Sequence, residues 1–118
     1  MYTSGSSIRF KDIITEVSNS DIETFYHIPI YWYKYKLDYL SDSDERYDKL
    51  IPGFIAEDID KIAPIAVDHD TDGIPEMWNS NIVVPIMFQM IKNEHERNDK
   101  LQQEIAELKE MIKSISTR

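Results

Sequence analysis

An α+β fold is predicted for this chain: a small mixed head with short strands and helices, followed by one long C-terminal helix that forms a parallel coiled coil. Three observations carry the prediction. Up to about residue 80, short runs of strand formers alternate with short helical faces, each closed by Pro, Gly or Asx residues. From Val84 onward, seam positions recur three and four apart to the end of the chain. The charge divides at the same place: residues 1–80 carry seven basic and sixteen acidic side chains, whereas residues 81–118 carry six of each.

Taken in order, residues 1–5 are short and polar and read as the end of an upstream linker or fibre. Ser6 to Lys11 is compatible with an extended segment. Asp21–His27 follows Ser18-Asn19-Ser20, a cluster of helix-capping residues, and reads as a short helix. Pro29 introduces Ile30–Lys36, dense in strand formers. Alternation puts Tyr31, Tyr33 and Tyr35 on one face and Ile30, Trp32 and Lys34 on the other, the pattern of a half-buried strand. Residues 41–49 form a charged surface loop. Within Gly53–Ile62, Ile55, Ile59 and Ile62 share one helical face, and Pro64 stops that helix. Ile65–Val67 and Ile74–Trp78 flank Asp70-Thr71-Asp72-Gly73, a hairpin turn. Asn79, Ser80 and Asn81 can all cap the last helix, and Pro85 is placed in its first turn, where an amide has no partner. The division expected is therefore 1–5 linker, 6–80 head and 81–118 coiled-coil helix.

The seam is Val84, Met87, Ile91, Glu94, Asn98, Leu101, Ile105, Leu108, Ile112 and Ile115, eight of the ten apolar. With Ile105 at position a, Glu104 falls at g and Lys109 at e, a pair that meets between parallel chains in register. A head of 80 residues cannot cover a helix reaching about 50 Å at 1.5 Å per residue, so the helix self-associates. The number of chains is left open by the seam: Ile105 with Leu108 favours two, and Ile115 at d favours more. Asn98 at a fixes register, and Glu94 at d is unusual.

The net charge of -9, held by the head, argues against a nucleic-acid backbone as partner, despite the Tyr/Trp/Lys stretch. No apolar run approaches the ~20 residues of a membrane span, and no signal peptide is visible. Without cysteine there is no disulfide, thiolate metal site or cysteine nucleophile. His27, His69 and His95 lack ligand spacing, so no metal site is assigned. Asp68–Gly73 reproduces the first half of a calcium loop, but its twelfth position is Asn79 and not Glu. A calcium-binding structural domain is therefore kept only as an alternative reading.

The chemistry points to Ser6 and Lys11. A serine hydroxyl becomes nucleophilic when a base takes its proton, and a lysine whose pKa is lowered can be that base. A free lysine, at about 10.4, is almost wholly charged at neutral pH, so Lys11 must be desolvated or set beside a cation. Ile8, Arg9 and Phe10 are the candidates for doing so. In a straight strand the two residues stand about 17 Å apart on opposite faces. In a helix they are about 140° apart. A bend, or a neighbouring chain, must bring the pair together.

These pieces together resemble one family. Ser6-x-x-Arg9-x-Lys11-Asp12-x-Ile14 is similar to the opening motif of the self-cleaving C-terminal intramolecular chaperone domains of phage tailspikes, tail fibres and neck appendages, the endosialidase-chaperone type. Gly53-Phe54-Ile55-Ala56-Glu57-Asp58-Ile59 with Ala63-Pro64 resembles its second motif, and Val84–Lys92 its third. Tyr31-Trp32-Tyr33 resembles its aromatic strand. The sequence departs from the pattern at Ser7, where the family has Asp, and at Glu57, where it has Gln.

The resemblance implies a parallel homotrimer that templates folding of an upstream fibre or β-helix domain of its own precursor. It then releases itself by cutting the Gly5–Ser6 bond, with Ser6 as nucleophile, Lys11 as base and Arg9 in support. Ile91, Asn98, Leu101, Ile105, Leu108, Ile112 and Ile115 would form the trimer seam. It implies a self-cleaving serine endopeptidase acting once, in the bacterial host cytoplasm during phage assembly, and absent from the mature virion fibre. No cofactor is expected for cleavage; nucleotide and calcium stay open, and neither nucleic acid nor membrane is a partner. The alternative is a non-catalytic oligomerisation module at a fibre terminus.

Overall fold

The computed structural model describes residues 5–117, so the first four residues of the expected linker lie outside the described part. Two small antiparallel ribbons and one short helix make up the head. Strand β1 (Tyr31–Tyr33) pairs with β2 (Ile51–Gly53), Trp32 facing Pro52. Helix α1 (Ala56–Asp60) follows, and a 3-10 turn at Pro64–Ala66 leads into β3 (Val67–His69). β3 pairs with β4 (Pro75–Trp78), and α2 (Ser80–Ser116) completes the chain. Among the described residues no helix is long and apolar enough to cross a membrane.

The hairpin β3–β4 forms where the Asp-Gly signal puts it. Gly73 takes the left-handed conformation, φ 80°, that a side chain resists. The Asp70 carboxylate accepts the amides of Asp72 at 2.9 Å and Ile74 at 3.0 Å, so this carboxylate is engaged within the turn. His69 Nε2 lies 2.7 Å from Asp60 Oδ1 and ties the hairpin to α1. Ile59 of α1 is buried with Ala66, Val67 and Val83, and Phe54 and Trp78 close over them edge to face, ring centres 5.3 Å apart.

Several local expectations are revised. The aromatic strand spans three residues, not Ile30–Lys36, because its partner β2 is only three residues long. Tyr31 and Trp32 are exposed, so the strand is less buried than alternation suggests. Strand β2 was not anticipated at all: Pro52 and Gly53 are poor strand residues, tolerated because this two-stranded ribbon has only edges. The helix after Gly53 starts at Ala56. The 18–20 cluster caps no helix; Ser18 and Asp21 bond each other's amides instead, and the following 3-10 helix begins at Glu23. Pro85 stands sixth in α2, past the first turn, so the Asn81 carbonyl loses its usual amide partner.

Helix α2 starts on Asn79, whose side chain accepts the Asn81 amide at 2.9 Å. Its 37 residues give a rod of about 55 Å. The first part lies against residues 19–26 through polar contacts. Asn93, 7 % exposed, donates to the Tyr26 hydroxyl at 3.0 Å, and that hydroxyl donates to the Met90 carbonyl at 3.1 Å. Gln89 donates to Asn19 at 3.0 Å. Beyond this clasp the rod runs on uncovered, and the molecule measures 73 × 43 × 24 Å.

Candidate active site

The bend that a Ser6–Lys11 contact requires is one turn of 3-10 helix at Ile8–Phe10, and not the extended segment anticipated. Ser7 starts it. Its hydroxyl accepts the Arg9 amide at 3.3 Å, while its carbonyl accepts the Phe10 amide at 3.0 Å. The Lys11 amide bonds the Ile8 carbonyl at 3.3 Å, and Lys11 then returns to extended backbone. Ser7 thus caps the turn through its side-chain oxygen.

This turn brings Lys11 Nζ to 3.5 Å from Ser6 Oγ, the outer limit of a hydrogen bond. An ammonium there donates to the hydroxyl; a neutral amine at the same place can accept its proton. Gly5 packs on the Phe10 ring so closely that a Cβ built on it would lie 2.5 Å from Phe10 Cδ2. The Arg9 guanidinium stands 4.7 Å from the centre of the same ring. Arg9 therefore holds the residue that packs on Gly5, and does not contact the Ser6 hydroxyl. From the sequence, Phe10 is expected only to desolvate Lys11. Its place against Gly5 has no spacing signature, because it depends on the turn.

Ser6, Arg9, Phe10 and Lys11 are all exposed in the single chain. So is the seam of α2. Ile91, Leu101, Ile105, Leu108, Ile112 and Ile115 are 50 to 69 % exposed, and Asn98 is exposed with them. Glu94, the charged seam residue, is paired with Arg97 one turn on, at 3.1 Å. Glu104 and Lys109 form no ion pair among the described residues. Nor, among these residues, does any group of three or more His, Asp or Glu come together as a metal site.

The model of a peptidase family, S74, described as chaperone of endosialidase, matches residues 6–68, more than half of the chain. The match begins at Ser6 and takes in the turn, both strands of the first ribbon and α1. The Val84–Lys92 motif and the rest of α2 lie beyond it. No curated protein matches the chain.

Proposed function

The chain belongs to the chaperone-of-endosialidase family, and from that premise we propose that it is a trimerising intramolecular chaperone that cuts itself from an upstream phage fibre or spike at Gly5–Ser6. The observation that carries the chemistry is the 3.5 Å approach of Lys11 Nζ to Ser6 Oγ inside a capped turn. Lys11 takes the Ser6 hydroxyl proton as Oγ attacks the Gly5 carbonyl. The C–N bond of Gly5–Ser6 then breaks as the Ser6 nitrogen gains a proton, leaving Gly5 esterified to Ser6 Oγ. Water hydrolyses the ester, which yields a Gly5 carboxylate and a chain beginning at Ser6 with its amine and hydroxyl free. Arg9 supports the site through Phe10, and none of these steps requires a cofactor.

Assembly is supported by surface bookkeeping. A compact monomer of 13.9 kDa exposes about 6,700 Å². This chain exposes 10344 Å². Its radius of gyration is 21.7 Å, against about 13.5 Å for a compact domain of this length. Exposed apolar residues run along the seam of α2 and through the N-terminal turn at Ile8 and Phe10, and others, among them Ile14, Trp32, Tyr39, Leu50 and Ile65, are spread over the head; neighbouring chains would cover the seam and the turn. Covering the turn would also desolvate Lys11, which a general base requires. The single chain leaves that requirement unmet, and this favours, as a second reading, a non-catalytic oligomerisation module in the same place.

The two readings separate in one experiment. With its native upstream segment attached, the chain should split during expression in bacterial cytoplasm and give a fragment whose mass starts at Ser6. Ser6→Ala should leave the precursor whole and still trimeric, since among the described residues the Ser6 hydroxyl bonds only Lys11. Scission at the same bond in Ser6→Ala would remove Ser6 from the mechanism.

A further inference from the structure

Phe88 takes part neither in the seam of α2 nor in the clasp. It is 64 % exposed and stands at heptad position e, beside the seam and not in it. The chain's own head grips α2 on another side, through Val83, Gln89 and Asn93. At 3.6 residues per turn, Phe88 is rotated about 100° from Gln89 and about 140° from Val83 and Asn93. A second large apolar residue is left open at the head end of α2. Ile65, 77 % exposed, is the middle residue of the 3-10 turn Pro64–Ala66, which packs against α2. The Ala66 carbonyl accepts the Asn79 amide at 2.7 Å and Ala66 is buried with Val83, so this turn is fixed to the start of the helix.

We infer that Phe88 of one chain docks on Ile65 of the next, a helix-to-head lock that repeats around the assembly. The register supplies the pairing. The offset that sets Glu104 against Lys109 of the neighbouring chain, g against e, also sets Val83 against Phe88, three heptads earlier. Val83 is 4 % exposed inside its own head, so the incoming ring meets what covers it, the turn that carries Ile65. Both surfaces suit an apolar contact. Neither 62–67 of the head nor 82–91 of α2 holds an ionisable side chain, so the acidity of the heads does not act at this point. The contact is heterologous: each chain gives Phe88 and receives on Ile65, and the ring closes where the last chain meets the first. The inference rests on the parallel assembly proposed above and adds to it a contact outside the seam, one that fixes each head to its neighbour's helix.

The chain has no cysteine, so introduced thiols report contacts without background. The full chain carrying Ile65→Cys with Phe88→Cys, treated with a short bismaleimide, should run as a covalent trimer on a denaturing gel. Ile65→Cys or Phe88→Cys alone should stay monomeric on the same gel. Asn98→Cys, at seam position a, should crosslink in pairs and so reads the assembly independently. Crosslinked Asn98→Cys beside an unlinked Ile65→Cys/Phe88→Cys chain would overturn the lock and leave the assembly standing; no link in either would overturn both. A link confined to one chain, seen as a crosslinked monomer by mass, would also overturn the lock. Association measured by sedimentation gives a second reading. Phe88→Lys or Ile65→Glu alone should weaken it about ten-fold, and the two together should regain much of the loss through a new ion pair. Both side chains are exposed in the single chain, so helix content by circular dichroism should not change. Weakening by Phe88→Lys with none from Ile65→Glu would place Phe88 against another surface and overturn the pairing.

Discussion

Lys11 is the residue on which the proposed chemistry turns, and two substitutions of different kind test it. Lys11→Arg keeps a cation near Ser6 but cannot release its proton at working pH. It should therefore block self-cleavage nearly as fully as Lys11→Ala, read as uncut precursor on a gel. In the unsubstituted chain only the neutral amine can act as the base, so the cleavage rate should climb as the pH is raised from 6 to 9. A flat rate from pH 6 to 9, or near-normal cutting by Lys11→Arg, would leave Lys11 an electrostatic aid only. Gly5 is a second test at this scale. A methyl added there meets the Phe10 ring at 2.5 Å, so the turn or the ring must move. Gly5→Ala should slow cleavage ten-fold or more, and Gly5→Ala with Phe10→Ala should recover part of the loss because the obstacle is gone. The pair Ser6 and Lys11 could be named from residue type alone, but their meeting could not. Five residues apart, they approach only because Ser7 caps a turn, and a lone serine in a polar segment carries too little information to announce that.

Among the elements, legibility tracked the strength of the local pattern. Asp72-Gly73 between two apolar runs specified the β3–β4 hairpin, since few other sequences accept its backbone. The long helix was equally plain, because its seam repeats over more than four heptads. The β1–β2 ribbon was hidden by Pro52 and Gly53, which lower strand propensity wherever they stand, so only the long-range pairing with Tyr31–Tyr33 reveals it. Val83 seats the start of α2 in the apolar core, whereas polar side chains join residues 19–26 to α2, and no periodicity predicts those. Asn93 is the buried polar group of that clasp, and its amide needs the Tyr26 hydroxyl. Tyr26→Phe strands it, at a cost of about 1–3 kcal/mol. The expected result is a lower denaturation midpoint with α2 still helical by circular dichroism. An unchanged midpoint would show that the clasp contributes nothing net to the fold.

For the whole molecule, the proposed link between helix and cleavage is open to direct disruption. Ile105→Asp with Leu108→Asp puts charges at adjacent a and d layers, about 40 Å along the rod from its start at 1.5 Å per residue. Light scattering should then report a monomer where the unsubstituted chain counts three, and the precursor should remain uncut although Ser6 and Lys11 are untouched. A monomeric variant that cuts at the normal rate would make the pair self-sufficient and remove the coupling. The sequence announced a partnered rod but not its partner number, since Ile105, Leu108 and Ile115 pull toward different oligomers.

The bare seam also turns the molecule into a gauge of dosage. If the chains bury this apolar seam against one another, as proposed, the folded fraction is a function of how many copies share a volume. With three-fold association, halving the concentration in the dilute limit lowers the assembled fraction of chains about four-fold. Scission that waits for assembly would inherit that steepness. Sparse chains would keep their tails, and a cell producing many at once would shed them within a narrow interval, giving the timing of release a threshold without any dedicated sensor.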